Sequence, residues 1–335
     1  MPNLTIKDIA RISGCSVSTI SRVINDRPDV RPETKEHVLT VMREAGFVPN
    51  TNARQLKIQQ SRSLVFVVKG TRNLFFSDFL VQLQWAATLY GYNGIVSYLD
   101  ENANEIDAAE KILREIKPKG MIFLGGSVAN FKKGFANITV PSVLTTLVSD
   151  ELDFPNLSMV GVDDRAAAYT AVDYLIQQGH RKIAVLGGPV TSYPSVMRRE
   201  GAQQAMRDAG ILFSDKLYGL SNYDFESAYH AVNSLLARRA DFTALFAMSD
   251  VIALGAIRAL ASAGLRVPED VSVIGFDGIT MSRYCVPVLT TIVQPSEQIS
   301  LQSIELLVRQ IEHGAPAQTI TLQPELQQGE SVRAI

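Results

Sequence analysis

With 335 residues, 46% of them hydrophobic and 20% charged, the chain is longer than one ordinary domain and has a globular composition, which excludes disordered and fibrous classes. The first apolar run, Leu64 to Val68, is far too short to cross a bilayer, and residues 1–20 alternate polar with apolar where a secretory leader would be continuously apolar. The formal net charge is −2, yet residues 1–60 hold nine Lys or Arg against six Asp or Glu, so a basic head precedes an acidic body and only the head suits phosphate binding.

The default location is therefore the cytoplasm. The two cysteines, Cys15 and Cys285, are far apart in a chain without secretory features and read as ordinary small apolar residues.

Residues 4–46 read as three short helices. Thr5 followed by Asp8 resembles a capping box, Ile6, Ile9, Ala10 and Ile12 repeat at helical spacing, and Gly14 stops the helix. Ser16 can cap a second helix whose apolar stripe is Ile20, Val23 and Ile24. Pro32 opens a third, with Val38, Val41, Met42 and Ala45 inward and Gly46 at its end. Two helices joined by a short turn containing Gly, closed by a third, form the helix-turn-helix pattern.

On the second helix, Ser18, Ser21, Arg22 and Asn25 share a polar face opposite that stripe. Arg22 can offer a bidentate fork to guanine, and Ser18 can donate or accept at either base type. Val17 lies at the edge of the stripe, where core packing and contact with a thymine methyl are both open. Thr5, Ser16, Thr19, Ser21 and Asn25 suit phosphate contacts, with capping or solvent as the alternative.

Residues 47–62 form a linker. Pro49 breaks the chain, Asn50 can cap, and Thr51 to Lys57 could make two helical turns that are marginal in isolation.

From Ser63 onward, β-branched runs alternate with amphipathic helical stretches. The runs are Leu64 to Val68, Gly94 to Tyr98, Gly120 to Leu124, Ser142 to Thr145, Ser158 to Val162, Lys182 to Leu186, Ala244 to Met248 and Val271 to Phe276. Helical patterns include Asp78 to Tyr90, Ala166 to Gln178, Ser195 to Ala209, Glu226 to Arg238 and Asp250 to Ala263. Repeated βα units imply parallel sheets covered on both faces, and this length implies two lobes with ligand sites between them.

The stretch TIKDIARISGCSVSTISRVIN at 5–25 resembles the lactose and galactose repressor (LacI/GalR) family. The resemblance continues through RPETKEHVLTVMREAGFVPN at 31–50, NARQLK at 52–57, QQGHRKIAVLGGP at 177–189, SDVIALGAIRAL at 249–260, GLRVPEDVSVIGFDG at 264–278 and PVLTTIVQP at 287–295. It implies an all-α helix-turn-helix head over 1–46, a hinge helix within 47–62 and a periplasmic-binding-protein-like core over 63–335. The core would be two doubly wound, mostly parallel α/β lobes, about 63–161 with 293–322 and about 162–292 with 323–335.

The resemblance also implies a regulator that binds pseudo-palindromic operator DNA, with Val17, Ser18 and Arg22 reading bases. Leu56, with Asn50, Ala53 and Lys57 near it on the same short helix, would enter the minor groove as an apolar wedge, the alternative being that it packs under the head. An effector between the lobes, a sugar or sugar acid more than a purine, would meet Arg198 and Asp277, with Tyr223 and Phe76 as walls. Asp163 and Ser127 are weaker candidates, since a strand-end acid can equally cap the next helix. Ser249 stands before Asp250 where many members carry Asn-Asp, which leaves sugar identity open, and Arg31 stands where a small capping residue is usual. No heptad tail follows the core, so a homodimer is expected. The family contains both induced and corepressor-dependent members, and its core architecture is shared by solute-binding proteins. No phosphate loop, dinucleotide fingerprint, HExxH or GxSxG occurs, and His37, His180, His230 and His313 lack ligand spacing, so neither catalysis, nor a cofactor, nor a metal is expected.

Overall fold

The computed structural model describes residues 4–24, 27, 29–47, 62–70 and 74–335. The chain divides into two compact units, Met1–Gln59 and Gln60–Ile335. Asn25, Asn50, Ala53, Leu56 and Lys57, and with them the expected hinge helix, lie outside the described residues. No helix among the described residues is long and apolar enough to cross a membrane.

The first unit contains α1 (Ile6–Ser13), α2 (Val17–Ile24) and α3 (Pro32–Glu44). Thr5 and Asp8 close a reciprocal capping box: the Thr5 amide donates to Asp8 Oδ2 at 2.9 Å, and Thr5 Oγ1 accepts from the Asp8 amide at 3.4 Å. Gly14 ends α1 in the left-handed region at φ 68°. The three helices bury Ile9, Ile20, Val23, Val38 and Met42 against one another. His37 Nε2 lies 3.1 Å from the Ser13 carbonyl, tying α3 to the end of α1.

In the second unit, one lobe is a sheet of six parallel strands: β1 (Ser63–Lys69), β2 (Asn93–Leu99), β3 (Gly120–Leu124), β4 (Ser142–Thr145), β5 (Leu157–Val162) and, returning from far along the chain, β11 (Thr319–Leu322). Their order is β2-β1-β3-β4-β5-β11. Helices α4 (Phe75–Leu89) and α11 (Ser296–His313) pack on one face, α5 (Glu105–Glu115) and α6 (Val128–Gly134) on the other. β1 shows why both faces are covered. Leu64, Phe66 and Val68 enter one apolar cluster while Val65 and Val67 enter the opposite one.

The other lobe orders its strands β7-β6-β8-β9-β10-β12, with β6 (Ile183–Gly187), β7 (Tyr218–Leu220), β8 (Ala244–Ala247), β9 (Ser272–Asp277), β10 (Thr290–Val293) and β12 (Glu325–Gln327); only β12 is antiparallel. Its helices are α7 (Asp164–Gln177), α8 (Tyr193–Asp208), α9 (Phe225–Ala237) and α10 (Asp250–Ser262). Gly201 lets α7 and α8 meet closely, since a Cβ there would lie 2.1 Å from the Arg165 carbonyl. The chain crosses between lobes three times, after β5, after β10 and after β11. The lobes also touch directly. Val251 and Ile279 of the second share an apolar cluster with Phe75, Phe76 and Phe79 of α4, and Thr280 Oγ1 donates to Asp78 Oδ2 at 3.1 Å.

Candidate functional site

A cavity of about 410 Å3 lies between the lobes. It is lined by the carboxyl ends of the strands, where parallel α/β sheets hold ligands. The first lobe contributes Lys69 at the end of β1, Ser127 after β3, Thr146 after β4, and Phe75 and Phe76 at the start of α4. From the second come Arg198 on α8, Tyr223 after β7 and Asp277 at the end of β9. Thr146 (φ 75°), Tyr223 (φ 56°) and Asp277 (φ 109°) hold positive-φ backbone although none is glycine. Such strain costs on the order of 1–3 kcal/mol per residue and gathers where surrounding structure over-determines a ligand clamp.

Arg198 is the centre of the second lobe's wall. It is buried, and its Nε donates to Asp164 Oδ1 at 2.7 Å while Nη1 donates to the Met248 carbonyl at 2.5 Å and to Asp277 Oδ1 at 3.4 Å. The guanidinium lies 3.7 Å over the Phe276 ring. Burial works against its charge, but the Asp164 and Asp277 carboxylates outweigh burial and raise its pKa. The acids bear the corresponding cost. Burial pushes Asp277 up to about 7 and raises Asp164 as well, against the pull of Arg198 on both. Nearby, Asp250 is pushed well up by burial and then by Asp277, although it accepts from Thr291 Oγ1 at 2.5 Å and the Ile279 amide at 2.8 Å. Gln294, on the second crossover, donates to Asp277 Oδ1 at 2.9 Å, and its own Oε1 is buried without a partner among the described residues.

Tyr223 stands over Gly188, where a Cβ would lie 2.3 Å from its ring, and its hydroxyl lies 2.6 Å from Ser195 Oγ. It therefore offers the cavity mainly a ring. On the first lobe, Lys69 Nζ donates to Glu105 Oε2 at 2.8 Å, and the fully buried Glu105 also accepts from the Ser127 amide at 2.6 Å and Asn130 Nδ2 at 3.0 Å.

Of the residues expected to hold an effector, the structure gathers Phe76, Ser127, Arg198, Tyr223 and Asp277 around one cavity. Asp163 and Ser249 do not line it. Asp163 Oδ1 caps α7 by accepting from the Ala166 amide at 3.0 Å, and Ser249 Oγ caps α10 by accepting from the Ile252 amide at 3.1 Å. A helix cap turns its side chain back toward the first-turn amides, while the next residue faces elsewhere. In both places that next residue, Asp164 or Asp250, is the acid turned into the interior. The doubled acid at 163–164 was the available signal. Nothing local marks Lys69, Glu105, Thr146 or Gln294.

On the head, Ser16 caps α2, its Oγ accepting from the Thr19 amide at 3.1 Å and lying within hydrogen-bond distance of the Ser18 and Thr19 hydroxyls. The hydroxyls of Thr5 and Ser16 are thus engaged in caps. Val17 is 42% exposed, which decides against core packing. Ser18 and Arg22 are exposed and Ser21 half-buried, and Arg22 reaches Asp29 at 3.5 Å while its side chain stays 61% exposed. A surface pair of this kind holds an arginine weakly, so the fork remains available to another partner.

Two family descriptions match the chain: "Bacterial regulatory proteins, lacI family" over residues 5–50, and "Periplasmic binding protein-like domain" over residues 172–332. The chain is 37% identical over 331 residues to the HTH-type transcriptional regulator MalR of Clostridium butyricum, covering 98% of this chain and 99% of that one. Among solved structures it resembles the lac repressor dimer bound to operator and an anti-inducer (TM-score 0.80, 25% identity, 99% of each chain). It also resembles the transcriptional regulator CelR in complex with cellobiose (TM-score 0.73, 27% identity, 98% of this chain and 99% of that one).

Proposed function

The chain belongs to the lacI family of bacterial regulatory proteins, and on that premise we propose that it is a cytoplasmic transcriptional repressor, without catalytic activity, whose hold on operator DNA changes when a sugar occupies the interlobe cavity. A homodimer on a pseudo-palindromic operator is the assembly this reading requires. Val17, Ser18 and Arg22 read bases, and Thr5, Ser16, Thr19 and Ser21 lie against phosphates. Among residues outside those described, Asn25 is assigned to a phosphate, and Leu56 to the minor groove as an apolar wedge with Asn50, Ala53 and Lys57 near it on the hinge.

One observation carries the reading: a single chain holds both a helix-turn-helix head with an exposed Arg22 and a two-lobed core whose cavity is closed by a buried arginine between two acids. The cellobiose complex of a structural relative supports a sugar as the effector class. A ligand that bridges Phe76 and Ser127 on one lobe to Arg198 and Asp277 on the other favours one arrangement of the lobes, and it can shift the equilibrium only by its differential affinity for the two. The first lobe is continuous with residues 47–62, so its arrangement bears on the linker. Coupling in such systems is typically about 1–3 kcal/mol. An absent catalytic motif and relatives that are regulators support the non-enzymatic reading.

The test is fluorescence anisotropy of a labelled pseudo-palindromic operator library at fixed salt, because phosphate neutralisation makes affinity steeply salt-dependent. Titrations run with and without a panel of sugars. Sequence-specific binding that one sugar weakens or strengthens is the expected result, the direction giving the sign of regulation. Binding without sequence preference under every condition overturns the proposal.

A further inference from the structure

Both cations among the described residues that line the interlobe cavity are already neutralised by the protein's own acids. Lys69 is held by Glu105, which is fully buried and fixed by the Ser127 amide and Asn130. Arg198 has Nε committed to Asp164 and Nη1 to the Met248 carbonyl and Asp277. A carboxylate or phosphate is gripped most strongly by two parallel N–H groups of a guanidinium. Each such pair includes either Nε or Nη1, so neither paired edge of Arg198 is free. Glu101 adds another acid to the cavity lining.

From this geometry we infer that the cavity selects an uncharged ligand, a neutral sugar presenting hydroxyls, and rejects sugar acids and sugar phosphates, with Glu105 as the specificity-determining residue of the first lobe. The inference deepens the effector reading above and rests on it. Hydroxyls donate to Asp277 or Glu101 and accept from the remaining Arg198 nitrogen without adding charge, while Phe75 and Phe76 cover the apolar C–H face of a sugar ring. An anion has two options. It displaces a carboxylate from its cation and leaves that acid buried and unpaired, or it enters a site whose fixed acids repel it.

The experiment is isothermal titration calorimetry on the full chain with pairs that keep the sugar ring and differ in charge: maltose with maltose 6′-phosphate, cellobiose with cellobiose 6′-phosphate, glucose with glucuronate and glucose 6-phosphate. The expected result is that a neutral sugar binds and its anionic partner binds at least about tenfold more weakly. Glu105→Gln removes the charge that neutralises Lys69, so the anionic partner should gain about tenfold or more while the neutral sugar changes by less than about threefold. An anion that binds as tightly as its neutral parent, and competes with it, overturns this inference and leaves the effector reading standing. If no member of any pair binds, the effector reading falls and takes the inference with it. The ratio within each pair is measured on the unsubstituted protein, so a Glu105→Gln chain that fails to fold does not remove the test.

Discussion

Replacing Asp277 by Asn tests whether the buried acid cluster holds one carboxyl in its neutral form. In the folded core Asp277 is 3% exposed and titrates at about 7 against an ordinary value of 3.8, burial outweighing the attraction of Arg198. A carboxyl raised by that margin favours the folded state only while protonated. Between pH about 4 and about 7 the unfolded chain has released this proton and the folded core still holds it, so stability contributed at low pH is lost as pH rises through that window and is constant above it. At 1.36 kcal/mol per pH unit the loss approaches about 4 kcal/mol. Asn has the same shape, keeps an acceptor for Gln294, and leaves Asp164 at 2.7 Å to neutralise Arg198. The Asp277→Asn core should therefore exceed the parent by about 2–4 kcal/mol at pH about 8, and the difference should shrink toward zero near pH about 4. Urea unfolding followed by far-UV circular dichroism, at matched protein concentrations and a series of pH values, measures it. A variant less stable than the parent at pH about 8, or a difference that ignores pH, would show that Asp277 is ionised throughout and acts as a stabilising partner of Arg198.

Removing the Arg22 side chain should weaken operator binding by about 1–3 kcal/mol, read by anisotropy, and relax preference at one base pair. The melting temperature of the head should hardly move, since the side chain is 61% exposed and its pair with Asp29 is a surface one. The start of α3 is a site for gain: Arg31 occupies the N-cap without any side-chain hydrogen bond, so Arg31→Ser should stabilise the head by about 1 kcal/mol in thermal unfolding. Gly201→Val should destabilise the core by about 3 kcal/mol or more, because its Cβ would meet the Arg165 carbonyl at 2.1 Å and α7 and α8 would have to separate. Unaltered urea midpoints for that variant would mean the helices part without cost.

The head was legible in detail because its signals are local. Thr5, Asp8, Gly14, Ser16 and Pro32 act on amides within four residues of themselves, and the structure has them at the predicted ends of α1, α2 and α3. Most strand runs from Leu64 to Phe276 were visible because strands buried on both faces are continuous and apolar, whereas the edge strand β2, without a buried residue, showed through its β-branched and aromatic residues. Strands β7, β10, β11 and β12 were not among those runs: each has only three or four residues, and all but the buried β10 are only partly buried.

The sequence by itself thus determined the helices of the head and the βα alternation, and through the family resemblance it pointed to a short set of side chains, Arg198, Asp277, Tyr223, Phe76 and Ser127, that line one cavity in the structure. It could not say which charges meet there. Arg198 finds its acids 34 and 79 positions away, and Lys69 finds Glu105 36 positions away. Those distances along the chain are closed only when strands and helices pack, and a helix start decides which of two adjacent acids caps and which turns inward. That is why Asp164 joins Arg198 while Asp163 caps α7, and why the charge balance of the cavity is a property of the tertiary structure alone.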